Sequence, residues 1–175
     1  MTLLSELTTI RVGGEPAELR VAHTREEIIE AANDIWSTRE DWLVLGGGSN
    51  IVVADNVENL RVIKVENLGI EPVRNKDDSR VVVRVQAGED WDDFVAYTVE
   101  HGLAGVEAMS GIPGTVGAGP VQNIGAYGQE LSDVLLRLEF LDYETHEVAV
   151  LEAKDLGFGY RTSVIKRGRP GVITW

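Results

Sequence analysis

The chain has no cysteine, which removes disulfides, thiolate metal sites and cysteine nucleophiles and fits a cytoplasmic protein. Positive charge is scarce as well: 16 Lys and Arg stand against 29 Asp and Glu, a formal net charge of −13 at pH 7. That balance argues against a nucleic-acid backbone or an anionic membrane surface as the main partner, though a local site can still take an anionic small molecule. Long apolar runs are missing, and the opening "MTLLSELTTIRVGG" holds no basic leader followed by an apolar core and a cleavage site. A cytoplasmic protein with no membrane partner is the expectation. His23, His101 and His146 are scattered without ligand spacing, so no metal site is expected.

What is present suits a folded domain. The 175 residues are 43% hydrophobic, enough for one sizeable domain or two small ones sharing a core. "HTREEIIEAANDIW" reads as a helix with Thr24 as N-cap and Glu27 completing a capping box, its apolar face being Ile28, Ala31, Ala32, Ile35 and Trp36. "DWDDFVAYTVEHG" reads as a second helix, opened by Asp90, with Trp91, Phe94, Val95 and Val99 along one side and Gly102 as its stop. Asp90, Asp92 and Asp93 are first-turn acids by this reading, Trp91 and Phe94 are core, and His101 sits at the helix C-terminus. Strands are expected at residues 42–45, in "LRVIKV" and in "RVVVRVQAG"; "VLLRLEFLDYETHEVAVL" reads as a hairpin turning near residues 144–147. The final "KDLGFGYRTSVIKRGRPGVITW" holds one loop and one or two strands, and stopping inside the apolar "RPGVITW" reads as a truncated chain. Two helices among many short strands give an α+β class, divided into a lobe over residues 1–65 and a larger lobe over 66–175.

Glycine is abundant, and two clusters need a reason: "GGGSN" at 46–50 and "SGIPGTVGAGPVQNIGAYGQE" at 110–130. Neither the dinucleotide fingerprint nor the Walker pattern is met, because Ile51 stands where a third glycine belongs and no Gly-Lys-Ser/Thr follows. No Lys or Arg occurs between Arg84 and Arg137. An anion held by the second cluster would therefore rely on backbone N–H groups, which glycine turns can gather into a concavity. Two uncharged nests facing one cleft suit a pyrophosphate, and the Gln122 and Asn123 amides suit the edge of a heterocycle. Tight β-turns in a strand-rich fold account for the same glycines, and the residues alone leave both readings open. Tyr160 and Arg161 in "GYRTS" offer a phenol and a guanidinium fork for a carboxylate or phosphate; the plainer alternative is a surface arginine beside a strand.

Taken together and in order, "TTIRVGG", "LGGGSN", "GIPGTVGAGPVQNIGAYGQE" and "FGYRTSVIK" closely resemble the UDP-N-acetylenolpyruvoylglucosamine reductases, the MurB family of peptidoglycan synthesis, in their type I form. The resemblance implies a two-lobed FAD-binding fold of the vanillyl-alcohol-oxidase/PCMH type, followed in the family by a substrate domain that this chain lacks. It implies that Gly46, Gly47, Gly48, Ser49 and Asn50 cradle non-covalent FAD, together with Ser110, Gly111, Ile112, Pro113, Gly114, Thr115, Gly117 and Ala118. Gln122, Asn123, Ile124, Gly125, Ala126, Tyr127 and Gly128 would continue that cradle. It further implies NADPH as reductant, a UDP-sugar enolpyruvyl ether as substrate, Arg161 as catalytic arginine and Tyr160 as a substrate contact. Thr8 stands where the family often has asparagine, and Gly119 where alanine is common. The family's proton-donating serine and its assisting glutamate lie beyond residue 175; Ser110, Ser132 and Ser163 do not match that serine. The 175 residues alone are accordingly expected to be inactive, with a monomer the favoured state.

Overall fold

A computed structural model describes residues 2–73 and 80–175. The first third of the chain builds a parallel sheet. Strand β1 (Glu18–Ala22) leads into helix α1 (Arg25–Ser37), and β2 (Trp42–Leu45) and β3 (Arg61–Val65) follow. Their order is β1-β3-β2, with both outer strands parallel to β3. This unit is closer to a βαβ arrangement than the α+β reading of the whole chain suggests. Helix α1 buries the five residues expected, Ile28, Ala31, Ala32, Ile35 and Trp36. The Thr24 hydroxyl caps it by accepting the Glu27 N–H at 3.1 Å. The return bond of the expected box is displaced by one residue: the Glu27 carboxylate accepts from the N–H of His23 at 2.7 Å.

The rest of the described chain is antiparallel. Strands β4 (Ile70–Val73) and β5 (Val82–Val85) pair with each other. Strand β4 was hidden in the sequence by Gly69 and Pro72, and among the described residues β5 is its one strand partner. Proline, which has no N–H to donate, is tolerated in such a position. Helix α2 (Trp91–Glu100) follows; Asp90 caps it by accepting from the N–H groups of Asp92 and Asp93, and Gly102 ends it at φ +67°. Trp91, Val95 and Thr98 form its buried stripe. Val99, expected on that face, lies 56% exposed, because one further residue of helix turns it off the stripe. The glycine-rich segment then runs into a short hairpin of β6 (Gly125–Ala126) and β7 (Gln129–Glu130). Strands β8 (Arg137–Asp142), β9 (Val148–Glu152) and β10 (Gly171–Ile173) make a sheet of order β10-β8-β9. The β8–β9 hairpin is the one expected.

The largest core does not respect the order of the chain. Ile28, Ile35 and Trp36 of α1 and Ile63 of β3 share one buried cluster with Leu138 and Phe140 of β8, Leu156, and Val172 of β10. Central strand β8 buries four successive residues, Leu138 to Leu141, so even Glu139 is enclosed. Burial alone would push the Glu139 carboxyl up. The Arg25 guanidinium, at 2.5 and 3.1 Å, and the Thr174 hydroxyl, at 2.5 Å, outweigh it and hold the group below the usual carboxylate range. A second cluster around Trp91 supports the glycine-rich segment, with Val106, Met109, Ile124 and Leu131 buried beside it. The Trp91 indole N–H donates to the Met109 carbonyl at 2.9 Å, so this tryptophan is core, as its helix position predicted.

Candidate functional site

The two glycine clusters meet. Strand β2 delivers "GGGSN" to a cavity of about 250 Å³ whose other wall is the segment from Pro113 to Ile124. Contact between the walls is backbone against backbone: a Cβ on Gly47 would lie 2.8 Å from the Gly114 Cα. Gly48 has φ +67°, and a Cβ there would lie 2.0 Å from the Leu7 carbonyl oxygen, so only glycine fits. Side chains then stitch the walls together. The Ser49 hydroxyl donates to the Pro113 carbonyl at 3.1 Å, and the Asn50 amide donates to the Gln122 side chain at 3.2 Å. Beneath them the N-terminal turn is closed by the Thr8 hydroxyl, which donates to the Val12 carbonyl at 3.0 Å, while the Thr9 N–H holds the Gly48 carbonyl. Threonine at position 8 thus closes its turn.

The electrostatic character of the cavity follows from its backbone. Among the described residues, the N–H groups of Gly46, Gly47, Gly48, Ser49 and Asn50 make no hydrogen bond within the protein, although all five residues line the cavity. The N–H groups of Gly114 and Thr115 on the opposite wall are likewise without a partner. Neither wall carries a lysine or an arginine. Such a set of neutral donors suits an anion whose charge is spread over several oxygens, and the residues present fit the diphosphate of a dinucleotide.

Pro113, Thr115, Ala118, Gln122 and Ile124 line this cavity along with Gly46 to Asn50. The other candidates stand around it. Ser110 and Gly111 are exposed and held from outside: the Asp92 carboxylate accepts from the Gly111 N–H at 2.7 Å and the Ser110 hydroxyl at 2.8 Å. Those two donors, Gly111 first, keep the Asp92 carboxyl below its ordinary range. Ile112 packs on the Trp91 cluster, and Gly117 packs its backbone against Ala87. Gly125 and Ala126 form β6, and Tyr127 and Gly128, at φ +50° and +89°, form its two-residue hairpin turn. For that pair the plain turn reading describes the structure. Sequence reasoning missed Leu43, Val44, Leu45, Ile51, Trp91, Gly119 and Val121 in the lining; continuity with the glycine clusters was the available signal for all but Trp91.

Asn123 is 1% exposed, and its amide is consumed internally. It donates to Glu130 at 2.9 Å and to the Gly159 carbonyl at 3.2 Å, and accepts from the Ser132 N–H at 2.9 Å. Tyr160 and Arg161 occupy the tip of a turn closed by Gly159 and Thr162. Tyr160 is 85% exposed. The Arg161 guanidinium donates to the Gly125 carbonyl at 2.6 Å, one residue beyond the lining residue Ile124. Among the described residues it has no carboxylate partner.

Comparison with known proteins agrees with this geometry. The model of the FAD binding domain family matches residues 16–151. The UDP-N-acetylenolpyruvoylglucosamine reductase of Leifsonia xyli is 51% identical over 170 residues, covering 97% of this chain and 45% of that protein. The crystal structure of the Thermus caldophilus reductase (MurB) superposes with a TM-score of 0.76 at 32% identity, over 99% of this chain and 58% of that one. The 6-hydroxy-D-nicotine oxidase of Arthrobacter nicotinovorans, at 19% identity and a TM-score of 0.62 over 89% of this chain and 34% of that one, shares the fold alone. The expected resemblance and the FAD-binding flavoenzyme fold are therefore borne out, and the chain spans about 45% of the curated relative from Leifsonia xyli. By the match across residues 16–151, this chain belongs to the family of FAD binding domains.

Proposed function

We propose that the chain is the FAD-holding part of a UDP-N-acetylenolpyruvoylglucosamine reductase of peptidoglycan synthesis. In that reading NADPH is the reductant, and the enolpyruvyl group of UDP-N-acetylglucosamine enolpyruvate is reduced to give UDP-N-acetylmuramate in the cytoplasm. The observation that carries it is the meeting of two uncharged glycine loops over one cavity, with partner-free N–H groups on both walls. Gly46 to Asn50, with Gly114 and Thr115, would hold the cofactor's diphosphate through those groups. FAD supplies the hydride chemistry when bound. Arg161 would bind the substrate's carboxylate through the N–H groups that Gly125 leaves free, and its fixed charge would stabilise negative charge building there. Tyr160, exposed beside it, would contact the substrate. The lobes, residues 1–65 and 66–175, would supply one wall each.

The test is to titrate the purified chain with FAD, remove the excess by gel filtration and record the visible spectrum. Retained flavin bands are expected; a folded, colourless chain would count against the reading. The length relation to the curated relatives, 45% of the Leifsonia protein, favours a second reading for these residues alone: a flavin-binding piece without turnover. Substrate-dependent NADPH oxidation by this chain would remove that second reading. Gel filtration also tests the proposed monomer.

A further inference from the structure

Residues 121–125 and 159–163 are joined by side-chain bonds that alternate along the cofactor wall. The Ser163 hydroxyl donates to the Val121 carbonyl at 2.6 Å, the Asn123 amide to the Gly159 carbonyl at 3.2 Å, and the Arg161 guanidinium to the Gly125 carbonyl at 2.6 Å. We propose that Asn123 and Ser163 are positioning residues for Arg161, locking the turn that carries the guanidinium to the wall of the cavity. The proposal rests on the reading of Arg161 given above and adds to it what sets that side chain's orientation.

Both residues sit on this seam, where the Ser163 hydroxyl also accepts from the Lys166 N–H at 3.3 Å. Ser163 is fully buried and Asn123 is 1% exposed, so each polar group costs stability unless it is bonded. The serine and one arm of the asparagine end on backbone carbonyls of the two facing segments. Asn123 also stands at φ +49°, in the left-handed region that asparagine adopts more readily than most non-glycine residues, and its side chain is held there. Glu130 and Ser132 supply that hold from the far side. Arg161 itself stands at φ +52° at the tip of the turn, and its carbonyl accepts from the Lys166 ammonium at 3.0 Å. Neither end of the turn can shift without breaking a bond to the cofactor wall. Any movement of residues 121–125 therefore carries the guanidinium with it, and cavity and charge move as one body.

Hydrogen exchange of the Arg161 guanidinium, followed by NMR in the chain without FAD, tests this directly. Its signal is assigned by its disappearance in Arg161→Lys. In the wild type it should exchange more slowly than free arginine. Ser163→Ala and Asn123→Ala should each accelerate it by about tenfold, the effect expected for losing one anchoring hydrogen bond. Thr98→Ala deletes a buried hydroxyl bonded to the Val95 carbonyl in α2; it should lower the melting temperature but leave Arg161 exchange unchanged, so general loosening is separated from positioning. Ser163→Thr should restore slow exchange. Wild-type exchange as fast as free arginine overturns the proposal, and so does unchanged exchange in folded Ser163→Ala, whether or not Asn123→Ala folds. Failure to bind FAD with slow Arg161 exchange retained would count against the cofactor reading alone.

Discussion

Gly47 and Gly114 lie backbone to backbone, with no space for a Cβ between them. The neighbour at 2.8 Å is a main-chain atom and cannot swing aside. Gly47→Ala should therefore push the two walls apart, at a cost of about 1–3 kcal/mol, the usual range for overpacking. Thermal melting measures that cost, and flavin retention should fall with it. A variant that binds FAD as tightly as the wild type would mean that the walls need not touch.

Asn50 and Gln122 form a second tie between the walls, at 3.2 Å and exposed. In a double-mutant cycle, Asn50→Ala and Gln122→Ala should show coupling of about 0.5–1 kcal/mol in FAD affinity. Strict additivity would show that the tie contributes equally with and without cofactor, and so nothing to its binding.

The Asp92 carboxylate anchors Ser110 and Gly111 from outside the cavity. Its carboxyl titrates below its ordinary range in the folded chain, because of the Gly111 N–H and then the Ser110 hydroxyl. The anchoring is therefore complete above the ordinary aspartate pKa and is lost as pH falls through the lowered one. Asp92→Asn should speed exchange of the Gly111 amide at neutral pH, and the difference from wild type should disappear at strongly acidic pH. A constant difference at every pH would assign the effect to something other than this carboxylate.

Arg25→Met should leave Glu139 enclosed with Thr174 but without its cation. The expected loss is about 2 kcal/mol by chemical denaturation, lower than for a fully buried pair because Arg25 is partly exposed. The loss should shrink in acid, where Glu139 protonates: its pKa is lowered in the folded state, so the pair stabilises above the ordinary glutamate pKa and fades below the folded one. Arg25→Met and Glu139→Gln melting with the wild type would show the pair to be neutral.

Local features were legible where a short stretch carried its own reason. Thr24 and Asp90 announced their helices, residues 42–45 formed the strand expected, and "GGGSN" turned where its glycines allowed. The site was legible as two loops of the right chemistry. What joined them was not, because Ser49 meets Pro113 and Asn50 meets Gln122 across 64 and 72 positions, and no local pattern encodes such pairings. Asn123 shows the same limit in reverse: its amide suggested the edge of a ring, yet burial and a left-handed backbone commit it to protein partners. Strand β4 was missed because Pro72 is a poor strand signal wherever an edge cannot be foreseen.

The shared core of α1, β3, β8 and β10 also sets an order of assembly. Arg25 and Glu139 are 114 positions apart, and Val172 packs in the same cluster as Ile28. During synthesis, helix α1 can pack on β1 and β3 early, but the part of its apolar face that meets β8 and β10 stays uncovered until those strands leave the ribosome. Such distant closure is slow and leaves the nascent chain open to aggregation. Ribosome-arrested chains should accordingly stay protease-sensitive around α1 until β10 has emerged, and early protection of α1 would show that the parallel unit closes by itself.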